Sequence, residues 1–389
     1  MNKIKVVVVG GGFGGCKTAL ELSNKEGVEV TLISDRKNFE YHGALYRSAT
    51  GSSPTEVSLP LKEIFEHAKN VTLAQDYITG LDSKHKRVIS DTGAMYDYDK
   101  LVIALGNIVN YYGIEGMEKH AHTINNVAGA IALRNDLTQC FKAKKLDPTI
   151  AIIGAGASGT ELAGEIQVFA RKVAEKYGVR VHHPHVVLVE GVERVLPALD
   201  PVLSAKAYKR LLKLGVEMKL STRVNSCQTN KVCLDTGDLD ATVMIWTAGT
   251  RIPDIFGNHP KHFQLKQAQV CVDDYMHAQN QKDIFVIGDN AFTKYSGMAQ
   301  TALHDAKYVA RSLLAQMHGK KVVKYRTRKP IYVVPVGPKW AVMDSDKSKI
   351  SGYKAWVMRR RADRWIFKNF LPYKKAIKQW RKGNKTANF

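Results

Sequence analysis

The chain has 389 residues, 44% of them hydrophobic, and 58 Lys and Arg against 36 Asp and Glu give a formal net charge of +22. That length suits two or three domains with full-sized cores. Five scattered cysteines (Cys16, Cys140, Cys227, Cys233, Cys271) with no C-x-x-C spacing suit a reduced, cytosolic setting and offer neither a metal site nor a redox dithiol. With no signal peptide and no apolar run near 18 residues, the chain is expected not to span a membrane.

Ile4 to Val9 is a β-branched run that reads as a strand, and Gly10-Gly11-Gly12-Phe13-Gly14-Gly15 follows it and opens a helical pattern. This is G-x-G-x-x-G. The first glycine permits a tight turn, the second lets backbone approach a pyrophosphate, and the third lets the helix pack close to the strand with its N–H groups facing the phosphates. Val28 to Ile33 is the next strand. Ser34-Asp35 ends it, and Asp35 lies 20 residues past Gly15, where an acid holds a ribose hydroxyl. Tyr98 to Gly106 is a third strand-and-turn pattern.

The first pattern returns 144 residues later: Ile150 to Ile153, then Gly154-Ala155-Gly156-Ala157-Ser158-Gly159. A helix from Ser158 to about Lys176 carries Leu162, Ile166, Phe169, Ala170 and Val173 on one face, and a loop from Tyr177 to His185 follows it. That loop explains why the next acid, Glu190 after Val186 to Val189, comes 31 residues past Gly159. Within it, His182-His183-Pro184-His185 has metal-ligating residue types, but the proline and the loop position read as a polar turn. Val243 to Gly249 matches Tyr98 to Gly106, and Ile284 to Asp289 is a buried strand ending in Gly-Asp, where a carboxylate can reach a ribityl hydroxyl. Two fingerprints in one chain imply two dinucleotides, and so electron transfer between two bound cofactors.

Residues 351–389 hold 12 Lys and Arg and one acid, Asp363, so half the excess charge lies in the last tenth of the chain. Three of the five tryptophans (Trp356, Trp365, Trp380) are there too. Met358, Ala362, Trp365, Ile366, Phe370 and Tyr373 recur at helical spacing, Pro372 breaks the pattern, and Ala376, Ile377 and Trp380 resume it. A pair of interfacial helices has this composition: aromatics enter the headgroup boundary while Arg359, Arg360, Arg361, Lys374, Lys375 and Lys378 meet anionic lipid. Nucleic acid would attract the same charge, because aromatic–basic mixtures also bind strands, whereas a solvated basic tail would not hold tryptophan at helical spacing.

In order and spacing the chain resembles the two-dinucleotide-binding flavoproteins, and within them the type II NADH dehydrogenases, the NADH:quinone oxidoreductases that pump no protons. The resemblance runs almost end to end. It covers Gly10 to Gly15, Asn38 through Gly51, Tyr98 to Gly106, Gly154 to Glu165 with its E-L-A-G-E continuation, Trp246 to Gly249, Ile287 to Asn290, and Ala299-Gln300-Thr301-Ala302. The fold it implies is α/β: two Rossmann-like dinucleotide-binding domains and a small C-terminal membrane-associating domain. A discontinuous FAD domain would take residues 1–110 and 265–325, an NADH domain 111–264, and basic amphipathic helices would lie within 326–389.

The same resemblance implies the site. Gly10, Gly12, Phe13, Gly14, Gly15, Ser34, Asp35, Arg36, Tyr46, Ala104, Gly106, Gly288, Asp289, Ala299 and Gln300 would bind FAD. Gly154, Gly156, Ser158, Gly159, Glu190 and Gly249 would bind NADH, and Glu190 argues against NADPH, whose 2′-phosphate it would repel. Glu161 and Glu165 are candidate catalytic acids near the nicotinamide. Gln300 would contact flavin and the quinone head, and His304, standing where the family has glutamine, is either a proton donor to reduced quinone or a passive polar substitute. Leu105 replaces the threonine of the family's A-T-G. Disulfide reductases of this fold need a cysteine pair that Asn38 to Ser53 lacks, and Cys140 and Cys271 lack the surroundings of the sulfide:quinone pair.

The implied activity is hydride transfer from NADH to the flavin N5, then passage of two electrons to a membrane quinone. The implied location is peripheral, on the cytoplasmic face of the cell membrane, with residues 351–389 on anionic lipid, a homodimer expected and no nucleic acid. Two alternatives stay open: a soluble ferredoxin- or rubredoxin-type reductase, and a non-catalytic FAD- and NAD-binding sensor with a nucleic-acid partner.

Overall fold

In the computed structural model, residues 3–142, 148–178 and 184–383 are described. The chain opens with β1 (Ile4–Val9), α1 (Phe13–Leu22), β2 (Val28–Ser34), β3 (Val71–Gln75) and β4 (Lys100–Ile103). It then builds β5 (Thr149–Ile153), α2 (Ala157–Lys176), β6 (His185–Val189), β7 (Val216–Lys219) and β8 (Val243–Trp246). It returns through β9 (Ile284–Val286) and α3 (Ala299–Met317), and ends in β10 (Tyr332–Pro335), β11 (Ala341–Asp344), β12 (Lys349–Gly352), α4 (Tyr353–Lys368) and α5 (Tyr373–Lys382).

Two parallel sheets result. The first runs β9-β4-β1-β2-β3, the second β7-β6-β5-β8. Their strands are near-continuous apolar runs because both faces are covered: Val6 to Val9 and Ile150 to Ile153 are each buried to 4% exposure or less. Each unit also carries a three-stranded antiparallel meander, at residues 78–97 and 224–240. The α/β architecture with two Rossmann units is thus as the glycine pattern implies. β9 joins the first sheet beside β4, and α3 packs along α1.

The C-terminal sheet β10-β11-β12 is antiparallel and docks on the second unit, where α2 passes so close that a Cβ on Gly164 would lie 2.5 Å from the Gly337 nitrogen. Helices α4 and α5 turn to the first unit instead. Phe367, Phe370 and Leu371 are buried there, with the Phe370 ring 4.4 Å from Phe39 and 6.1 Å from Phe13. The C-terminal elements therefore hold both units. Among the described residues no helix is long and apolar enough to cross a membrane.

Candidate active site

The two fingerprints share one stereochemistry. Gly10 and Gly154 have φ of +116° and +103°, a left-handed turn closed to side chains. A Cβ on Gly15 or Gly159 would lie 1.9 or 1.8 Å from the carbonyl oxygen of Gly10 or Gly154, so the protein's own packing demands glycine there. At Gly12 and Gly156 an added Cβ meets nothing within 4 Å. The middle glycine of each turn is therefore kept bare for something outside the protein, with the N-terminus of α1 or α2 beside it. Both cradles fit a dinucleotide pyrophosphate.

The acids differ between the units. Gly10 N–H donates to Ile33 O and Gly154 N–H to Val189 O, so the residue after each acceptor is equivalent: Ser34 in the first unit, Glu190 in the second. Glu190 is preset for a ribose. Its Oε2 accepts from Ala155 N–H at 2.6 Å and its Oε1 from Val192 N–H at 3.2 Å, which leaves lone pairs free. Ser34 instead caps Arg36 N–H at 3.1 Å, while Asp35 lies one residue further on, half exposed and 3.5 Å from the Arg36 guanidinium. Arg36 also pairs with Glu40 at 2.8 Å.

Opposite α1, the turns after β4 and β9 are sewn together. Asn290 is fully buried; its Nδ2 donates to Gly106 O at 2.7 Å and its Oδ1 accepts from Gly106 N–H at 3.1 Å. Asn107 donates to Asp289 Oδ2 at 3.0 Å, and burial raises the Asp289 carboxyl. Ala104 is buried with its carbonyl against Gly10, and Gly249 lies under the ring of Tyr112. Asn107, Asn290 and Asp305, whose Oδ2 accepts Gly288 N–H at 3.0 Å, support this wall. The site residues inferred from the sequence do not include them, since a side chain that holds a turn, Asn290 and Asp305 buried against backbone or Asn107 exposed beside Asp289, has no periodicity to betray it.

Ala299, Gln300 and His304 open α3. Gln300 makes two hydrogen bonds with the backbone of Ile331, from Nε2 to the carbonyl at 2.9 Å and from the N–H to Oε1 at 3.2 Å. His304 Nε2 meets Arg326 O at 2.9 Å. A carbonyl only accepts, so Nε2 carries the hydrogen and a neutral His304 has only an acceptor at Nδ1. Donation to a quinone would then require the imidazolium.

Between the units lies a buried ionic cluster. Asp363, fully buried, accepts from Arg47 Nη1 at 3.1 Å, Arg359 Nε at 3.1 Å, Arg360 Nη1 at 3.0 Å and Tyr41 Oη at 2.7 Å. Arg47 also meets Glu56 at 2.7 Å. Arg359 reaches across to Glu161 Oε1 at 3.1 Å, to Val333 O at 2.9 Å and to Gly43 O, so one side chain ties α4 to both units and to β10. The three guanidiniums hold the Asp363 carboxyl below its ordinary value against the cost of burial. Glu161 and Glu165 behave in the opposite way. Burial pushes each up to about 7, with Arg359 pulling Glu161 back and Arg47 doing the same for Glu165. Tyr46, buried beside them, has its phenol raised by burial.

This cluster corrects the sequence reading of the tail. Arg359 and Arg360 do not face lipid but are buried partners of its single acid, and Lys375 is paired with Glu66 at 2.7 Å. Phe367 and Phe370 are core, and Trp380 donates to Arg360 O at 2.9 Å. Tyr353, Met358, Trp365 and Tyr373 remain exposed, with Lys354, Arg361, Lys368, Lys374 and Lys378 among them. A short amphipathic period does not distinguish an aromatic facing lipid from one facing a neighbouring sheet. Of the histidine cluster, His182 and His183 lie outside the described residues; His185 meets Glu217 at 2.7 Å and Thr149 at 3.3 Å.

The family model for pyridine nucleotide-disulphide oxidoreductases matches residues 4–306. The chain belongs to that family. None of the five cysteines is in a disulfide, Cys16 being buried with its thiol against Gly11 O. It is 28% identical over 393 residues to the type II NADH:quinone oxidoreductase of Staphylococcus epidermidis, covering 94% of this chain and 96% of that one. To the type II NADH:quinone oxidoreductase of Mycobacterium tuberculosis it is 26% identical over 388 residues, covering 91% and 82%. Among solved structures, NDH2 from Plasmodium falciparum in complex with NADH superposes with a TM-score of 0.88 over 99% of this chain and 98% of that one. At 16% identity that likeness is one of fold.

Proposed function

We propose that the protein is an FAD-dependent NADH:quinone oxidoreductase bound peripherally to the membrane. The observation that carries the reading is a pair of bare-glycine cradles in one chain with no thiol pair between them. Electrons from a nicotinamide then have no dithiol to pass through, and the type II relatives supply the class of acceptor. FAD, when bound, supplies hydride acceptance and two-electron donation.

The chain's own residues do the rest. Gly12, with the N-terminus of α1, would seat the FAD pyrophosphate, and Asp289, held by Asn107, would meet its ribityl chain. Gly156 and the N-terminus of α2 would seat NADH, with Glu190 on the adenosine ribose. Reducing a quinone with one hydride requires one proton more than the hydride carries. Glu161, in the range where it gains and loses a proton near neutrality, is the group placed to hold it, and Arg359 fixes the atom that does so. The contribution of the fold is placement and exclusion of water.

We further place the protein on the cytoplasmic face of the membrane. Five cysteines, none of them in a disulfide, suit that side. The exposed Tyr353, Met358, Trp365 and Tyr373 and the five exposed bases among them suit an anionic surface, each base near it contributing about 1 kcal/mol.

Anaerobic NADH should bleach the flavin absorbance, and a soluble quinone should restore it. Bleaching without restoration rejects the quinone. For the membrane, changing Lys354, Arg361, Lys368, Lys374 and Lys378 to Glu together should release the protein from vesicles rich in anionic lipid without loss of flavin. Deleting the tail at Ser351 would not test this, because it would also remove Asp363 and Phe367 from the core.

A further inference from the structure

Residues 320–331 form an extended strap with no regular secondary structure, laid along one face of α3. Gln300, His304 and Tyr308, at successive four-residue steps, hold its backbone at Ile331, Arg326 and Val323; the Tyr308 hydroxyl donates to Val323 O at 2.8 Å. Two of these three anchors are the residues assigned to the acceptor. Whatever contacts Gln300 and His304 must share them with the strap, so its position shapes that site.

A tyrosine on the strap reaches inward. Tyr325 donates its hydroxyl to Asp305 Oδ1 at 2.5 Å, and its N–H is held by Asp274 O at 2.7 Å. Asp305 is fully buried, and its other oxygen accepts the N–H of Gly288, the start of the Gly288-Asp289 turn. A single carboxylate therefore spans the acceptor wall and the turn assigned to the flavin. Burial pushes Asp305 up to about 6, with Tyr325, Gly288 and the nearby His304 pulling it back and Asp289 opposing them, so at neutral pH it is ionised and accepts both bonds.

We propose that Tyr325 and Asp305 are positioning residues for acceptor reduction: through them the strap 320–331 is fixed as a wall of the quinone site and coupled to the Gly288-Asp289 turn. The proposal rests on the quinone reading above. Neither residue touches the reacting atoms; they act through the strap and the turn.

Tyr325→Phe removes one hydroxyl and little else. It should raise the KM for a soluble quinone roughly three- to tenfold, part of the worth of one charge-assisted hydrogen bond, while leaving the KM for NADH and the rate of anaerobic bleaching unchanged. Limited proteolysis within 320–331 should quicken by a similar factor. Asp305→Asn should do the same and also speed release of FAD, followed by the rise in free-flavin fluorescence. An unchanged quinone KM and unchanged cleavage in Tyr325→Phe would overturn the proposal. So would an equal rise in both KM values with a lower melting temperature, which is general loosening. If the unsubstituted protein reduces no quinone, the functional reading fails, and strap cleavage and flavin release still decide whether the latch exists.

Discussion

At Gly12 and at Gly156 the protein leaves the same bare position, yet the neighbours of the two glycines differ. Phe13, next to Gly12, packs edge-on against Phe39 at 5.0 Å and Tyr41 at 5.9 Å, and Phe370 from the end of α4 closes over it. Ala157 and Ser158, next to Gly156, are exposed. The acid position diverges in the same sense, with Glu190 preset toward solvent and Ser34 spent on the local turn. A cradle walled by aromatics and C-terminal helices suits a resident group. An open cradle with a waiting carboxylate suits a nucleotide that enters and leaves at each turnover.

Alanine at the two bare positions is the largest test of that difference. Gly12 and Gly156 have φ of −86° and −66°, which alanine adopts freely, so both variants should fold. Gly12→Ala should yield protein purified without flavin, its FAD affinity down roughly 100-fold for about 3 kcal/mol of overpacking against the phosphates. Gly156→Ala should keep its flavin and raise the KM for NADH by at least about tenfold. Flavin absorbance and steady-state kinetics read both. Flavin lost from the second variant and kept in the first would reverse the assignment of the sites.

Of comparable size is the effect of Arg359→Met. The two units meet the C-terminal helices through this guanidinium, and its removal leaves Glu161 and part of Asp363 buried without their partner. Breaking a buried pair from one side costs about 3–5 kcal/mol. Urea unfolding should show that loss, and the return of flavin absorbance on adding quinone should slow with it because Glu161, the group assigned to the quinone's proton, is no longer fixed. A cost under about 1 kcal/mol would mean that the aromatic contacts alone hold α4.

The fold was legible because its signals are local. A β-branched run, a glycine turn and a helical period recur in the same order at Ile4 and at Ile150, and backbone sterics allow few readings of them. The acids were legible less well: Asp35 is an acid at a suitable distance, but the strand register puts Ser34 at the position equivalent to Glu190, and register is a property of paired strands. The ionic cluster was not legible at all. Arg359 and Arg360 stand in a run of three arginines whose composition reads as surface, and Asp363 with distant partners, Arg47 and Glu56 in the first unit and Glu161 in the second, turns them inward. Long-range pairing leaves no periodic trace.

A smaller effect separates Glu165 from Glu161. Both carboxyls titrate near 7 in the fold against 4.5 in the unfolded chain. Between those values the unfolded chain binds fewer protons, so this contribution to stability is complete below about 4.5 and is lost as pH rises toward 7. Glu165 has no direct ion pair among the described residues, so Glu165→Gln should remove its share of the slope and stabilise the protein at pH 8 by about 1–3 kcal/mol. Glu161→Gln leaves Arg359 short of a partner and should gain less. Melting temperatures from pH 5 to 8 distinguish them, and a steeper fall with pH in Glu165→Gln would contradict the sign.

The smallest effect concerns how α5 is held. Lys375 pairs with Glu66 across the surface, and Gln379, one turn later and buried, donates to Glu56 O at 2.8 Å and to Thr55 O. Both link the same helix to the first unit, but water screens the first and not the second. An exposed pair gives up nearly as much hydration and side-chain freedom as it gains in attraction. Lys375→Ala should therefore leave the melting temperature unchanged in low and high salt, whereas Gln379→Ala strands a buried backbone carbonyl and should lower it measurably. If Lys375→Ala destabilised the protein in low salt and the loss vanished in high salt, surface charge would be holding the tail in place. The wall around the first cradle would then depend on ionic strength, and so would the contrast with the open second cradle.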